Sequence, residues 1–399
     1  MTKARRASAP LLMITLTSLF SVCAGPAALA ASADLPAYAN QPESAQWSEI
    51  QRNGTEALDA NQYWIAEPAL KQAVVAAASF GESDLRLAKS LSELGRLYSI
   101  RGRFSEAEPY LEESLHVKEL AYADDRPKLV PPMGAMIRFY LNHGTISKAE
   151  PLTEQMLDIV EGRLKEARQG PVKFQKGVPL EAWAGVAAPS NKDELIDWAI
   201  TCDAVANDYR AHDNLDMASR LYNTSLDLKE TVYGKNHMSV AGSYENLGTL
   251  CMEKGVVKEA EPYFKDALSM TEATLPPESS DVYNRLDKLA KCYIKAGKTK
   301  EAEDLYKRAQ ALWKQDPSST GQECRAAYAL GSLYIDQKNY DAAAPVLARA
   351  LELAEEASGP NSIGLVPYLQ KYAYALYHLG HKAEWEELNA RASTISGAI

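Results

Sequence analysis

The tripeptide Ala-Glu-Pro returns at regular intervals along this chain, and no other feature restricts its fold as strongly. It stands at Ala66-Glu67-Pro68, Ala107-Glu108-Pro109, Ala149-Glu150-Pro151 and Ala260-Glu261-Pro262, with Ala344-Pro345 on the same frame. Twelve residues before the recurrent Ala sits a residue that is usually small: Gly54, Gly95, Ile137, Ala206, Gly248, Ala290, Gly331 and Ala373. The steps between these anchors are 41, 42, 69, 42, 42, 41 and 42 residues. Seven of the eight copies keep Ala at the second site, and only Trp385 departs. A fixed period of this size predicts eight copies of one supersecondary unit rather than two or three unrelated domains.

Within a copy, apolar residues recur three and four apart, as at Leu94 and Tyr98 and then at Leu111 and Leu115. That spacing is one face of an α-helix followed by one face of another. Gly102, Gly144, Gly255, Gly297 or Gly380 falls between the two, where a left-handed residue ends the first helix. Ser105 with Glu108 and Ser147 with Glu150 spell capping boxes for the second helix, and Asp216 and Asp341 occupy the same position. The recurring Pro then falls in the first turn, where a missing N–H costs little. Small residues are expected at the crossing of the two helices, because they let backbones approach closely.

A small residue in helix A, an aromatic three later, a turn Gly and an Ala in helix B together resemble a tetratricopeptide repeat. The period near 42 with Ala-Glu-Pro is similar to the longer repeats of kinesin light chains. Asn246-Leu247-Gly248, Gly255, Glu259-Ala260-Glu261-Pro262 and Tyr263 carry the likeness, with Tyr233-Gly234-Lys235-Asn236-His237 in the preceding connection. The resemblance covers about residues 45–395 and implies an all-α, right-handed superhelical solenoid of about eight helix-turn-helix repeats. Copy one lacks the aromatic (Ala57) and copy eight carries Trp385, as suits terminal repeats with a single neighbour.

The expected organisation is a signal peptide over 1–30, a linker over 31–44, repeats one to three over 45–164, an insertion loop over 165–195, repeats four to eight over 196–395 and a tail over 396–399. The insertion explains the step of 69. Its Gly170-Pro171, Gly177, Pro179, Gly185 and Pro189 oppose a continuous helix, while Phe174, Leu180 and Trp183 exceed what a solvated linker needs. It is read either as a loop folded back on the repeats or as a spacer between two blocks.

At the N-terminus, Lys3, Arg5 and Arg6 precede an apolar run from Leu11 to Ala24, and Ala28-Leu29-Ala30 fits the small-residue pattern of signal cleavage between Ala30 and Ala31. Fourteen helical residues rise about 21 Å, short of a hydrocarbon core of roughly 30 Å. An uncleaved anchor and a lipoprotein acylated at Cys23 are the alternatives, the latter opposed by Val22 directly before the Cys. The expectation is Sec export by a bacterium, to the periplasm, cell surface or medium, with no stable membrane insertion after cleavage.

With 43 Lys and Arg against 53 Asp and Glu, the net charge is −10, and no basic stripe suggests a nucleic-acid partner. No nucleotide-binding, hydrolase or metalloprotease motif occurs. His378, His381 and Glu384 surround a turn and make a poor metal site. Cys202, Cys251, Cys292 and Cys324 are spread one per repeat and read as small buried hydrophobes, with no disulfide expected. No catalytic residue, metal or cofactor is therefore expected.

What remains is a surface. The resemblance implies that the A helices line a concave face holding a protein or peptide. On this frame the face displays Arg138, Asn207, Arg210, Glu245, Asn246, Asp287, Lys291, Tyr328, Ser332, Tyr374 and Tyr377. It mixes signs in the middle and turns aromatic toward the C-terminus. The expected function is a non-enzymatic protein- or peptide-binding scaffold of the bacterial envelope or secreted space. The alternative is a structural assembly component that docks other envelope proteins through its terminal repeats.

Overall fold

The computed structural model describes residues 43–169, 192–277, 279–313 and 320–397. The expected signal sequence with its Ala30–Ala31 cleavage point, and most of the expected insertion, lie outside the described residues. Among the described residues the fold is all-α, with sixteen α-helices and no strand. They are α1 (Glu43–Asp59), α2 (Tyr63–Ala78), α3 (Leu85–Ile100), α4 (Phe104–Ala121), α5 (Val130–Asn142), α6 (Ile146–Gln169), α7 (Lys192–Ala211) and α8 (Leu215–Tyr233). There follow α9 (Met238–Glu253), α10 (Val257–Thr274), α11 (Ser280–Lys295), α12 (Thr299–Trp313), α13 (Thr320–Asp336), α14 (Tyr340–Ser358), α15 (Val366–Leu379) and α16 (Lys382–Gly397). Odd-numbered helices are the A helices of the repeat frame and even-numbered helices the B helices. None of the described helices is long and apolar enough to cross a membrane.

The chain forms two compact units, residues 1–136 and 137–399. In the first, α1 packs on α2, α2 on α3 and α3 on α4. In the second, α7 to α16 pack in the same alternating order, each helix on the next. A core cluster in this unit includes Phe264, Leu286, Leu289, Tyr306, Leu330 and Leu347. Each pair therefore buries its apolar stripe against its sequence neighbours, as a repeat array must.

The recurrent small residues sit where the helices touch. Ala66, Ala107, Ala149, Ala218, Ala260, Ala302 and Ala343 are all 0% exposed. A Cβ added at Gly95 would stand 2.6 Å from the side chain of Leu111, and one at Gly331 would stand 2.5 Å from that of Leu347. The A–B crossing thus admits only backbone at these two anchors.

All eight A-to-B turns share one conformation. The residue seven past the anchor has positive φ in every copy: Gly102, Gly144, Gly255, Gly297 and Gly380, but also Asn61, Asp213 and Lys338. The following N–H donates to the carbonyl five residues back in each, at 2.8–3.0 Å, as in Arg103 to Tyr98 and Asn339 to Tyr334. This is a Schellman closure, and the array demands it even where no glycine relieves the strain. It also overturns the expected capping boxes. α4 begins at Phe104 with no side-chain cap, and Ser105 lies inside the helix. Asn214 and Asn339, two residues before Asp216 and Asp341, cap α8 and α14 by accepting from the N–H groups of Met217 and Ala342. The closure delivers the chain straight into helix B, so the capping position falls two residues earlier than the pattern suggested.

The Glu that follows the recurrent Ala, in Ala-Glu-Pro or in Ala302-Glu303-Asp304, is instead an inter-repeat tie. Glu67 accepts from Tyr98 Oη at 3.0 Å and from Arg101 Nη1 at 2.7 Å, both in the next copy. Glu261 accepts from Lys265 Nζ and Lys298 Nζ, each at 2.7 Å, and Glu303 from Tyr334 Oη at 3.1 Å. Bonds from Lys265 and Lys298 hold the Glu261 carboxyl below the ordinary range. A bond from Lys307 does the same at Glu303. Burial works upward at Glu67, but the bonds from Lys71 and Tyr98 outweigh it and the net direction is again down.

A depressed carboxylate contributes stability that is present above its unfolded pKa and lost as pH falls through the folded one. The melting temperature is therefore expected to drop as pH falls below about 4.5, the ordinary Glu value. The combined Glu67→Gln, Glu261→Gln, Glu303→Gln variant should lose less over the same interval. Parallel acid limbs for the two proteins in thermal melts would remove these ties from the account.

Candidate functional site

The A helices of residues 137–397 present one polar strip, because the stripe opposite the B helices has no helix packed on it within the repeat. Its side chains bridge every successive pair of A helices. Arg138 of α5 donates through Nε to Asp208 Oδ2 of α7 at 2.6 Å. Arg210 of α7 lies 3.9 Å from Glu253 of α9. Glu245 of α9 accepts from Lys288 of α11, and Arg285 Nε of α11 lies 3.5 Å from the same carboxylate. Arg325 of α13 donates to Asn284 Oδ1 of α11 at 3.3 Å, and Lys371 of α15 donates to Ser332 Oγ of α13 at 2.8 Å.

The residues singled out from the repeat frame are not equally available. Arg138, Asn207 and Lys291 are exposed, while Arg210, Glu245, Asn246 and Ser332 are half-buried. Asn207 accepts from Tyr222 Oη of α8 at 2.7 Å, which ties it inward to its own B helix. Asp287 is only 9% exposed and accepts from Lys291 Nζ at 2.6 Å and from Tyr306 Oη at 3.1 Å. Burial first, and then the Asp287 charge, push the Tyr306 phenol well up, so it stays a donor.

Tyr328 is half-buried. Its ring lies 4.7 Å from that of Tyr368, and Lys371 Nζ stands 5.2 Å above it. Tyr374 and Tyr377, by contrast, are 47% and 57% exposed. They belong to a ring cluster in which His378 stacks on Tyr340 at 4.3 Å and meets Tyr374 edge-on at 4.6 Å, while Tyr377 leans on Trp385 at 5.4 Å. The frame position that calls for Ala thus carries Trp385 here as a partner for Tyr377.

Sequence reading missed Arg285, Lys288, Arg325 and Lys371, which supply most of the cross-links. Lys288 and Lys371 fall two residues before an anchor, the position Asn246 also holds, so the frame could have found them. Arg285 sits one turn earlier, and only the contact reveals it. Among the described residues, no three His, Cys, Asp or Glu side chains converge as metal ligands, and His381 Nδ1 instead lies 3.2 Å from Glu384. Cys202, Cys251, Cys292 and Cys324 are free thiols, and burial pushes Cys202 up to about 12.

Tetratricopeptide-repeat family models match residues 199–273 and 239–315, and another model of the repeat matches 87–127 and 325–363. Those spans carry tetratricopeptide repeats. Nephrocystin-3 of Xenopus tropicalis is 31% identical over 98 residues, 24% of this chain and 8% of that protein's length. A signal transduction ATPase with a tetratricopeptide-repeat sensor, from Pyrococcus horikoshii, superposes with a TM-score of 0.50 at 12% identity, covering 88% of this chain and 47% of that one. It shows a shared fold. A putative kinesin light chain of Podosopora anserina with nearly identical repeats gives a TM-score of 0.42 at 17% identity, over 58% of this chain and 98% of that one. Tetratricopeptide repeats are protein-binding scaffolds, and the matched spans carry such repeats.

Because Tyr328 joins the core beneath the strip, its truncation should act on stability. Tyr328→Ala is expected to cost about 1–3 kcal/mol of folding free energy, less than a fully buried aromatic. Chemical denaturation reads this directly, and an unchanged midpoint would mean that the ring is a free surface group.

Proposed function

We propose that this chain is a non-enzymatic scaffold, exported by a bacterium to its envelope or surroundings, that holds a protein or peptide on the helix-A face. The observation that carries this reading is the unbroken series of polar bridges across the A helices, ending at Tyr374 and Tyr377. Bridged side chains stand at fixed spacing, so a partner would meet donors and acceptors already ordered and would spend little of its binding energy on ordering them. Exposed rings supply the large, rotamer-poor area in which interface energy concentrates. The concave side of the array is the side this assigns to the partner. The charged N-terminal residues, the apolar run and Ala28-Leu29-Ala30 support export.

A second reading has its own support. The ring cluster lies in the last two repeats, where a half-open end would dock another envelope protein. Deleting α15 and α16 would abolish such docking, whereas substitutions at Arg138 or Lys291 would leave it intact.

Two measurements test the proposal. N-terminal sequencing of the exported pool should return Ala31 as the first residue, and recovery of Met1 there would reject the export reading. The partner is to be captured by crosslinking to residues 31–399 in the envelope fraction and then titrated. Tyr377→Ala should weaken its binding by about 1–3 kcal/mol with little change in melting temperature. A lowered melting temperature with unchanged affinity would instead make Tyr377 a cap of the final repeat.

A further inference from the structure

Lys118 and Lys229 occupy the same place in the repeat frame, near the end of a B helix, but their surroundings differ in one respect. The local register is the same: Ser114 Oγ donates to the Ala88 carbonyl at 2.7 Å, and Ser225 Oγ to the Ala199 carbonyl at 3.0 Å. Lys229 Nζ donates to Asp203 Oδ2 at 2.5 Å and to Ser243 Oγ at 2.9 Å. At Lys118 the residue equivalent to Asp203 is Ser92, whose Oγ accepts from Nζ at 3.2 Å, and the residue equivalent to Ser243 is Pro132. Lys118 has no ion pair within 4.0 Å among the described residues.

A half-buried ammonium held by one neutral hydroxyl is costly, because burial removes hydration that a single weak acceptor does not replace. Burial accordingly holds the Lys118 ammonium below the ordinary lysine value. Ser92 Oγ also lies 2.6 Å from Ser114 Oγ, so two hydroxyls and one cation meet between α3 and α4. The copy at Lys229 shows which group suits this geometry, since there the chain itself supplies a carboxylate.

We infer that Lys118 and Ser92 form a carboxylate-binding subsite that takes an acidic group of a bound polypeptide in the place Asp203 fills beside Lys229. The carboxylate would accept from Lys118 Nζ beside Ser92, whose own hydroxyl proton goes to Ser114 Oγ, and its source is either a Glu or Asp side chain or a chain terminus. The subsite uses only residues of α3 and α4, so it stands or falls independently of the strip over residues 137–397.

The test follows the lysine ε-CH2 signals by NMR in the full chain carrying 13C-labelled lysine, with Lys118→Arg used to assign the signal. The probes are acetylglutamate N-methylamide for a side-chain carboxylate, acetylglycine for a terminal one, and acetylglutamine N-methylamide as the neutral control. A saturable shift at Lys118 with one or both carboxylates, absent with the neutral amide and at least several-fold smaller at Lys229, is the expected result. The stronger probe identifies the source. Ser92→Asp should abolish the shift by installing the carboxylate internally, and should move the Lys118 titration up toward that of an ordinary lysine. Shifts of equal size at Lys118, Lys229 and the exposed lysines would overturn the proposal, as would a full response in Ser92→Asp. The wild-type titration alone decides the matter if that variant does not fold.

Discussion

Every repeat in this chain turns on one closure: a left-handed residue followed by an N–H that reaches back to the carbonyl five residues earlier. This closure sets the direction in which helix B leaves helix A. It brings the recurrent Ala to the crossing, where each of the seven is sealed from solvent. The Ala side chain is small enough for the pair to close and large enough to leave no void. The direction of each pair then fixes where the next can pack, so an error at one turn would propagate along the array. The chain therefore imposes the left-handed conformation on Asn61, Asp213 and Lys338, accepting a local strain of roughly 1–2 kcal/mol at each. Packing of two helices outweighs that cost.

The polar links divide by what they can contribute. Ion pairs such as Arg52 with Glu56 are open to water and contribute little. Glu67, Glu261 and Glu303 differ because each is largely covered and each reaches across a repeat boundary or toward the following helix. Their depressed carboxyls show that the folded state favours the charged form. They orient neighbouring repeats, while apolar burial supplies most of the stability. The same division applies on the helix-A strip, where Asp287 and Glu245 are held by several partners, while Lys291 bonds to Asp287 from a largely exposed position.

Repetition also makes the exceptions readable. A frame shared by eight copies turns each departure into a comparison within one molecule, where backbone geometry is held nearly constant. Ser92 against Asp203, and Trp385 against seven alanines, are departures of that kind. In each the altered side chain changes what its neighbours can do: Lys118 is left with a single hydroxyl, and Tyr377 gains a ring to lean on.

The sequence by itself determined the all-α class, the eight copies, the position of each A-to-B turn and the buried Ala at seven of the eight crossings. These are local or periodic properties, written in residues that only one geometry accommodates: no side chain fits at Gly331, and no polar group suits the site of Ala260. It misplaced the helix-B caps, because Ser105-x-x-Glu108 satisfies the capping pattern while the Schellman closure, a property of two helices together, starts the helix earlier. Only the tertiary structure decided which helix-A residues face solvent and which are bound inward. Asp287 and Lys291 are one helical turn apart and looked equivalent, yet Tyr306 from the paired helix draws Asp287 under the surface. Tyr328 and Tyr374 likewise share the A face of successive repeats, but Tyr368 covers one ring and leaves the other open. Exposure depends on which neighbour the fold brings, and that neighbour lies 19 residues away in sequence at Asp287 and 40 at Tyr328.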